Sequence, residues 1–273
     1  MMERLTFIKF GGSVITNKRG QEAADRSVIR QLAGELQAVR QQRPESRIIL
    51  GHGSGSFGHY YAARYHIHQG LQPDEDWMGF ALTAAAALRL NRLVLDTLIE
   101  AGVPSLTIQP SAALFCRDGD IREWHVASIL AALEQRLLPV IHGDVAFDDR
   151  RGCTIVSTEM LLSYLALHTA LRPTHMIMVG EDAVYTADPH VEPEAQVIPL
   201  ITSANIEEVL GGQAGSSYTV DVTGGMQSKI QALWKLVQTI PGLEIQMIGS
   251  RPGLLQQALL DQAVAMGTCI RLE

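Results

Sequence analysis

Several short stretches of this chain combine glycine, hydroxyl and charged residues in patterns that suit a phosphate. The first is Lys9-Phe10-Gly11-Gly12-Ser13-Val14-Ile15-Thr16-Asn17-Lys18. Glycine carries no Cβ and tolerates φ > 0, so backbone N–H groups there can close on an anion. Lys9 and Lys18 bracket the loop with positive charge. Phosphoryl transfer asks a protein for positioning and charge neutralisation more than for covalent chemistry. A strand-to-helix turn with two surface lysines would read the same way.

The second stretch, His52-Gly53-Ser54-Gly55-Ser56-Phe57-Gly58-His59, alternates glycine with serine and ends in histidine. It suits an anion nest that opens a helix. No Gly-Lys-[Ser/Thr] follows, so it is not a P-loop, and its spacing after a second strand is not the dinucleotide fingerprint. A histidine in such a place is either a structural hydrogen bonder or a phosphate ligand, and the adjoining nest favours the ligand for His59. Next come His142-Gly143-Asp144-Val145, where Asp144 could take a lysine or orient an acceptor, and Asp148-Asp149, which reads as a solvated turn. Ser157-Thr158-Glu159 reads as ordinary capping at a helix start. Last is Asp221-Val222-Thr223-Gly224-Gly225-Met226-Gln227-Ser228-Lys229, with Lys229 one turn into a helix and able to point back at the glycines. Each stretch alone is a weak signal. Together they suggest one nest for an acceptor phosphate and others for a donor.

These residues need a frame, and the chain between them alternates strand and helix. Apolar runs at Leu5–Phe10, Arg47–Leu50, Val103–Ile108, Leu138–Ile141 and Met176–Val179 read as strands. Helical spacing appears at Ser27–Arg43, Trp77–Ala101, Val126–Gln135, Thr158–Leu171, Asn205–Leu210 and Met226–Ile240. Ile245–Glu273 reads as strand, short helix and strand. The alternation predicts an α/β fold, a three-layer sandwich around a central, mostly parallel sheet. In such sheets ligands bind beyond the carboxyl ends of the strands, where the glycine loops fall. Residues 1–273 read as a single domain, with an acceptor-binding lobe at about 1–175 and a nucleotide-binding lobe at about 176–273.

Composition narrows the class. The chain has 273 residues, 47% of them hydrophobic, enough for a sizeable core. A formal net charge of −7 argues against nucleic acid or an anionic membrane as partner. The three cysteines, Cys116, Cys153 and Cys269, have no metal-ligand spacing and suit idle thiols in a reducing compartment. The N-terminal MMERLTFIKFGG lacks a signal-peptide pattern, and the most apolar run, Gly79–Leu88, is too short to span a membrane. A cytoplasmic location is expected.

The motifs, in this order, resemble those of the amino acid kinase superfamily, and of its isopentenyl phosphate kinases in particular. Lys9 to Ser13 resembles K-x-G-G-S, and Val14 to Lys18 the I-T-x-K extension. His52 to His59 resembles H-G-x-G-S-F-G-H, and His142 to Val145 contains the G-D-V. Glu181 to Pro189 resembles D-G-V-Y-T-x-D-P, and Asp221 to Lys229 resembles D-V-T-G-G-M-x-x-K. The resemblance implies transfer of the γ-phosphate of ATP, with Mg²⁺, to isopentenyl phosphate, in a homodimer. It implies that Lys9, Lys18 and Lys229 stabilise the transferring phosphoryl group. Gly11, Gly12, Ser13 and Gly55 would line the ATP phosphates, with Asp182, Tyr185, the turn around Asp188 and Gly225 near the nucleotide. Gly53, Ser54, His59 and Gly143, beside Asp144, would hold the acceptor phosphate. No protein metal ligand is implied. The tail pocket is expected along the Ala-rich helix, with Ala81, Ala84 and Ala85 leaving room and Phe80 and Leu88 closing it. The chain departs from the family at Thr158-Glu159, where Gly-Asp is usual, at Ala183, at Val179-Gly180 and at Tyr60. A fosfomycin kinase on the same fold, or a nucleotide sensor without activity, are the alternative readings.

Overall fold

The computed structural model describes residues 4–17, 20–71, 74, 76–180, 183–187, 191–192, 194–212, 225–262, 264 and 267–273. Its strands are β1 Leu5–Phe10, β2 Arg47–His52, β3 Ser105–Thr107, β4 Leu114–Arg117, β5 Asp120–Trp124, β6 Leu138–His142, β7 Asp144–Asp148, β8 Gly152–Val156, β9 His175–Val179, β10 Leu200–Ile201, β11 Glu244–Ile248 and β12 Thr268–Ile270. Its α-helices are α1 Gly12–Ile15, α2 Arg26–Gln42, α3 Gly55–Arg64, α4 Met78–Glu100, α5 Ala127–Glu134, α6 Thr158–His168, α7 Ile206–Gly212, α8 Gly225–Thr239 and α9 Leu254–Leu259.

Eight strands form one sheet in the order β10-β12-β11-β9-β1-β2-β6-β3. Every neighbouring pair is parallel except β11 with β12. The central strands are apolar on both faces, as a sheet covered on both sides requires. Their side chains alternate between two cores, with period two. Leu5, Phe7, Ile49, Ile141, Met176 and Met178 join α5, α6 and α8. Ile8, Phe10, Leu50, Val140, Ile177 and Val179 join α2, α4 and α9 on the opposite face. The three-layer α/β architecture read from the sequence is the one the chain adopts.

Helix ends follow local chemistry. Asp25 caps α2, accepting from Ser27 N and Val28 N at 3.1 Å each. Ile29, Leu32, Leu36 and Val39 form the buried face of α2. On the same helix, buried Glu35 accepts from Gly253 N and Gln256 N at 3.0 Å each and so holds the start of α9. Helix α4 is long and apolar enough, by length and composition, to cross a bilayer. Here it packs against α2, α3, β3, β6 and β7.

A second sheet, β5-β4-β7-β8, was not legible in the sequence. The segment read as a polar loop after His142 is a single residue, Gly143, joining β6 to β7. Asp148 is not a solvated turn residue. It is buried, and its carboxylate accepts from the backbone N–H groups of Asp118, Gly119, Arg150 and Arg151 at 2.7–3.0 Å.

Candidate active site

From β1 the chain first builds outward through β2, β6 and β3, and later returns to add β9 and β11 on the other side of β1. The switch between β9 and β1 is where an open α/β sheet forms its ligand crevice. The strand ends there are fastened to one another. Gly11 N donates to Val179 O at 2.7 Å, Gly53 N to Phe10 O at 3.0 Å, and Gly143 N to His52 O at 2.9 Å. A cavity of about 820 Å³ opens above them, walled by Lys9, Gly12, Ser54, His59, Glu159 and Lys229 among others.

Two glycine loops meet backbone to backbone at its floor. A Cβ on Gly12 would stand 2.6 Å from Gly55 N, and one on Gly53 would stand 2.7 Å from Gly12 N. Thr16 pins the pair together, donating from Oγ1 to Gly12 O at 2.6 Å and accepting from Ser56 N at 3.0 Å. The first N–H groups of a helix have no partner within it. Among the described residues, the N–H groups of Gly12, Ser13, Ser54 and Gly55 donate to no protein acceptor. All four residues line the cavity. These are two adjacent clusters of free amide donors, each at a helix start, which is how a protein cradles phosphate without a basic surface.

Charge enters the same cavity. Lys9, at the end of β1, pairs with Glu159 in the first turn of α6. Lys229, in α8, lines the same cavity. Burial raises the Glu159 carboxyl, but the Lys9 ammonium, its hydrogen bond and the charge of Lys229 outweigh this and hold it below the usual carboxylate range. The longer side chain at this position therefore reaches the lysines. Ser157 does cap α6, accepting from Met160 N at 3.2 Å. Thr158 does more than cap: its Oγ1 donates to His52 O at 2.7 Å and ties α6 to the end of β2.

The cavity is also lined by Gly53, Ser54, His59, Gly143 and Asp144. His59 is exposed on α3, one turn beyond the free amides. Asp144 accepts from Ser111 N at 3.1 Å and Val145 N at 2.9 Å, and burial pushes its carboxyl up to about 6. Ala62, Thr83, Ala87 and Ile155 line the cavity as well. The face of α4 that meets the cavity is thus Thr83 and Ala87, one turn apart, and not the one expected. Ala81 points to solvent, while Phe80 and Ala84 pack with Trp77 in a satellite core. The Ala-rich run offered no polar contrast by which to choose the face.

The structure brings Lys9, Gly11, Gly12, Ser13, Gly53, Ser54, Gly55, His59, Gly143, Asp144 and Lys229 around this one cavity. Tyr185, which bridges to Val197, and Gly225, at the start of α8, are not among the residues that line it. Lys18, Asp182, Asp188 and the stretch 221–224 lie outside the described residues. Sequence reasoning gave no role to Thr16 or to the buried His52 and His142, although all three sit inside motifs it singled out.

Paired amide nests, two lysines and an organising carboxylate at the switch point of a parallel sheet define a phosphotransferase of the α/β class. The amino acid kinase family model matches residues 4–243. The isopentenyl phosphate kinase of Methanothermobacter thermautotrophicus is 36% identical over 269 residues, covering 95% of this chain and 97% of the relative. That of Methanocaldococcus jannaschii is 32% identical over 238 residues, covering 85% and 87%. A crystal structure of an isopentenyl phosphate kinase is 33% identical with a TM-score of 0.81, covering 98% of this chain and all of the other. The chain belongs to the amino acid kinase family and groups there with proteins that carry the isopentenyl phosphate kinase name.

Proposed function

We propose that this protein transfers the γ-phosphate of ATP to isopentenyl phosphate, giving isopentenyl diphosphate and ADP. The observation that carries the reading is the pair of amide nests set side by side, with Lys9 and Lys229 lining the same cavity. Gly11, Gly12, Ser13 and Gly55 hold the ATP phosphates. Gly53, Ser54, His59 and Gly143, next to Asp144, hold the acceptor phosphate. An oxygen of the acceptor attacks the γ-phosphorus in line, and the β–γ bridging oxygen leaves with ADP. At neutral pH the acceptor phosphate is largely ionised, so no general base is needed. Lys9 and Lys229, with Lys18, bear the charge on the equatorial oxygens. Glu159 keeps the Lys9 ammonium aimed between the nests. Asp182, Tyr185 and Gly225 serve the nucleotide, in a lobe that begins at about residue 176, while residues to about 175 serve the acceptor. Ala62, Thr83, Ala87 and Ile155 offer an apolar wall to a short branched tail.

Among the described residues no group of three His, Cys, Asp or Glu could hold a metal ion. The proposed transfer asks for none, since Mg²⁺ keeps water and phosphate oxygens as most of its ligands. When bound with ATP it would supply positive charge against the phosphate oxygens.

The deciding experiment incubates the protein with ATP and Mg²⁺ against isopentenyl phosphate, dimethylallyl phosphate, fosfomycin, uridylate and glutamate. Turnover is expected with isopentenyl phosphate. Turnover with fosfomycin or uridylate alone would refute the acceptor. ATP binding with no turnover on any of them would point to a sensor.

A further inference from the structure

His52 and His142 occupy matching register positions at the ends of β2 and β6. Both rings are fully buried, and they stack with centroids 5.7 Å apart and planes 24° apart. Each Nδ1 faces the carbonyl of the residue that follows in the chain: Gly53 O at 3.1 Å and Gly143 O at 3.2 Å. Those two glycines belong to the wall that meets the acceptor.

We propose that His52 and His142 are positioning residues for the acceptor phosphate, each donating its Nδ1–H to the following glycine carbonyl and so fixing the Gly53 and Gly143 peptides. This deepens the function proposed above and rests on it.

The tautomer follows from the contacts. A carbonyl can only accept, so a nitrogen facing one must carry the proton. For His142 the case is closed, because its Nε2 is buried with no partner among the described residues. Among the described residues the Gly143 carbonyl is the ring's one hydrogen-bond partner, and only the Nδ1–H form uses it. For His52, Nε2 lies 3.1 Å from Asn91 Oδ1, and Asn91 Nδ2 lies 2.9 Å from Thr107 Oγ1. With the proton on Nδ1, Nε2 needs a donor, so the Asn91 amide must be turned over. The two ends of that amide have the same shape. Turned over, Nδ2 donates to His52 and Oδ1 accepts from the Thr107 hydroxyl, and every group is satisfied. A doubly protonated His52 would also fit the placed amide. Burial and the neighbouring ring exclude it, pushing His52 down to about 4, and burial pushes His142 to about 4.

The consequence for the site comes from peptide geometry. In a trans peptide the C=O and the next N–H point in opposite directions. With Gly53 O held down on His52, the Ser54 N–H is turned up toward the cavity that Ser54 lines. Gly143 lies directly beneath: a Cβ there would stand 3.7 Å from Ser54 N. The rings thus set the aim of an amide donor without touching the substrate.

Two measurements test this. Long-range ¹H–¹⁵N spectra of the labelled protein at neutral pH read the tautomer of each ring, assigned with single-histidine variants. Both rings must be neutral with the proton on Nδ1; an Nε2–H form at either position would overturn the proposal. Kinetics of His52→Asn, His52→Gln, His142→Asn and His142→Gln supply the second. Asparagine keeps a donor where Nδ1 stood, while glutamine moves it to the Nε2 position. The glutamine variants should raise the KM for isopentenyl phosphate about tenfold, the worth of one hydrogen bond, with the KM for ATP unchanged and asparagine restoring most of the loss. Equal changes in both KM values, or a fall in kcat alone, is the signature of general damage and would overturn it. The spectra do not depend on the acceptor. If isopentenyl phosphate failed as a substrate, the proposed function would fall, and the ring tautomers would still decide this reading.

Discussion

In the proposed reaction the distance between donor and acceptor phosphates is set by how closely two glycine loops can pack, and Gly12→Ala should disturb that distance directly. Gly12 has no positive φ, so alanine brings no backbone strain of its own. Its Cβ would lie 2.6 Å from Gly55 N and 2.8 Å from Gly55 Cα, against a comfortable limit of 3.4 Å. The loops must therefore open by 3.4 − 2.6 = 0.8 Å. The neighbour is backbone, held by the Thr16 bridge, and cannot swing aside as a side chain would. A misplacement near 1 Å between reacting groups costs about 10²-fold in rate. The expected result is a fall in kcat/KM of about that size, or roughly 2.7 kcal/mol, with a loss of stability of ~1–3 kcal/mol from overpacking. The assay is steady-state ADP release with isopentenyl phosphate, beside urea unfolding of the same protein. Wild-type kinetics in Gly12→Ala would refute the reasoning, because the loops would then not be the ruler.

Gly34→Ala is the matching control: Gly34 is exposed within α2 with nothing within 4 Å of its Cβ position, so the change should stabilise by ~0.5–1 kcal/mol and leave kinetics alone, read by urea midpoint and turnover. Glu159→Gln should lower kcat about 10- to 100-fold with little change in acceptor KM, since Lys9 and Lys229 lose the carboxylate between them; an unchanged kcat would remove Glu159 from the site. Acid should destabilise the fold through His52 and His142. Their folded values are depressed from 6.5 to about 4, so the stabilisation is complete above pH 6.5 and is lost as pH falls toward 4. Each ring corresponds to about 3 kcal/mol. Urea midpoints that stay flat from pH 7 to pH 4 would contradict this. His59→Ala should lose most of kcat/KM for the phosphate acceptor, and unchanged kinetics there would exclude His59 from binding it.

What the sequence disclosed depended on how local the signal was. The parallel sheet was readable because Leu5–Phe10 is mostly apolar and Met176–Val179 wholly so, each between glycine and polar punctuation. The loops of the site were readable because several glycine- and hydroxyl-rich stretches recur along one chain, two of them with lysines close by, though each alone is a weak signal. The second sheet was hidden. Its strands are short, and its link to the main sheet is the single residue Gly143, which reads like a loop. The service performed by Asp148 was hidden too, because four backbone amides from two turns leave no trace in residue type. Thr16 and Thr158 act by reaching across to chain 40 and 106 residues away, and hydroxyls at loop ends look like caps. His52 and His142 looked like members of a motif, and only their mutual stacking shows that they act as a pair.

Helix α4 has a consequence for how the chain is made. It is assembled early in synthesis, and of the elements it packs against α2, β2 and α3 precede it, while β3, β6 and β7 follow. Until about residue 148 has left the ribosome, a helix with the length and composition of a membrane span has an uncovered flank. The nascent protein is thus at its most vulnerable to chaperone capture, aggregation or a stray membrane during a stretch of roughly fifty residues, some seconds of translation at ~5–20 residues per second. Slow codons in that interval would lengthen the exposure, while ones placed after it would not.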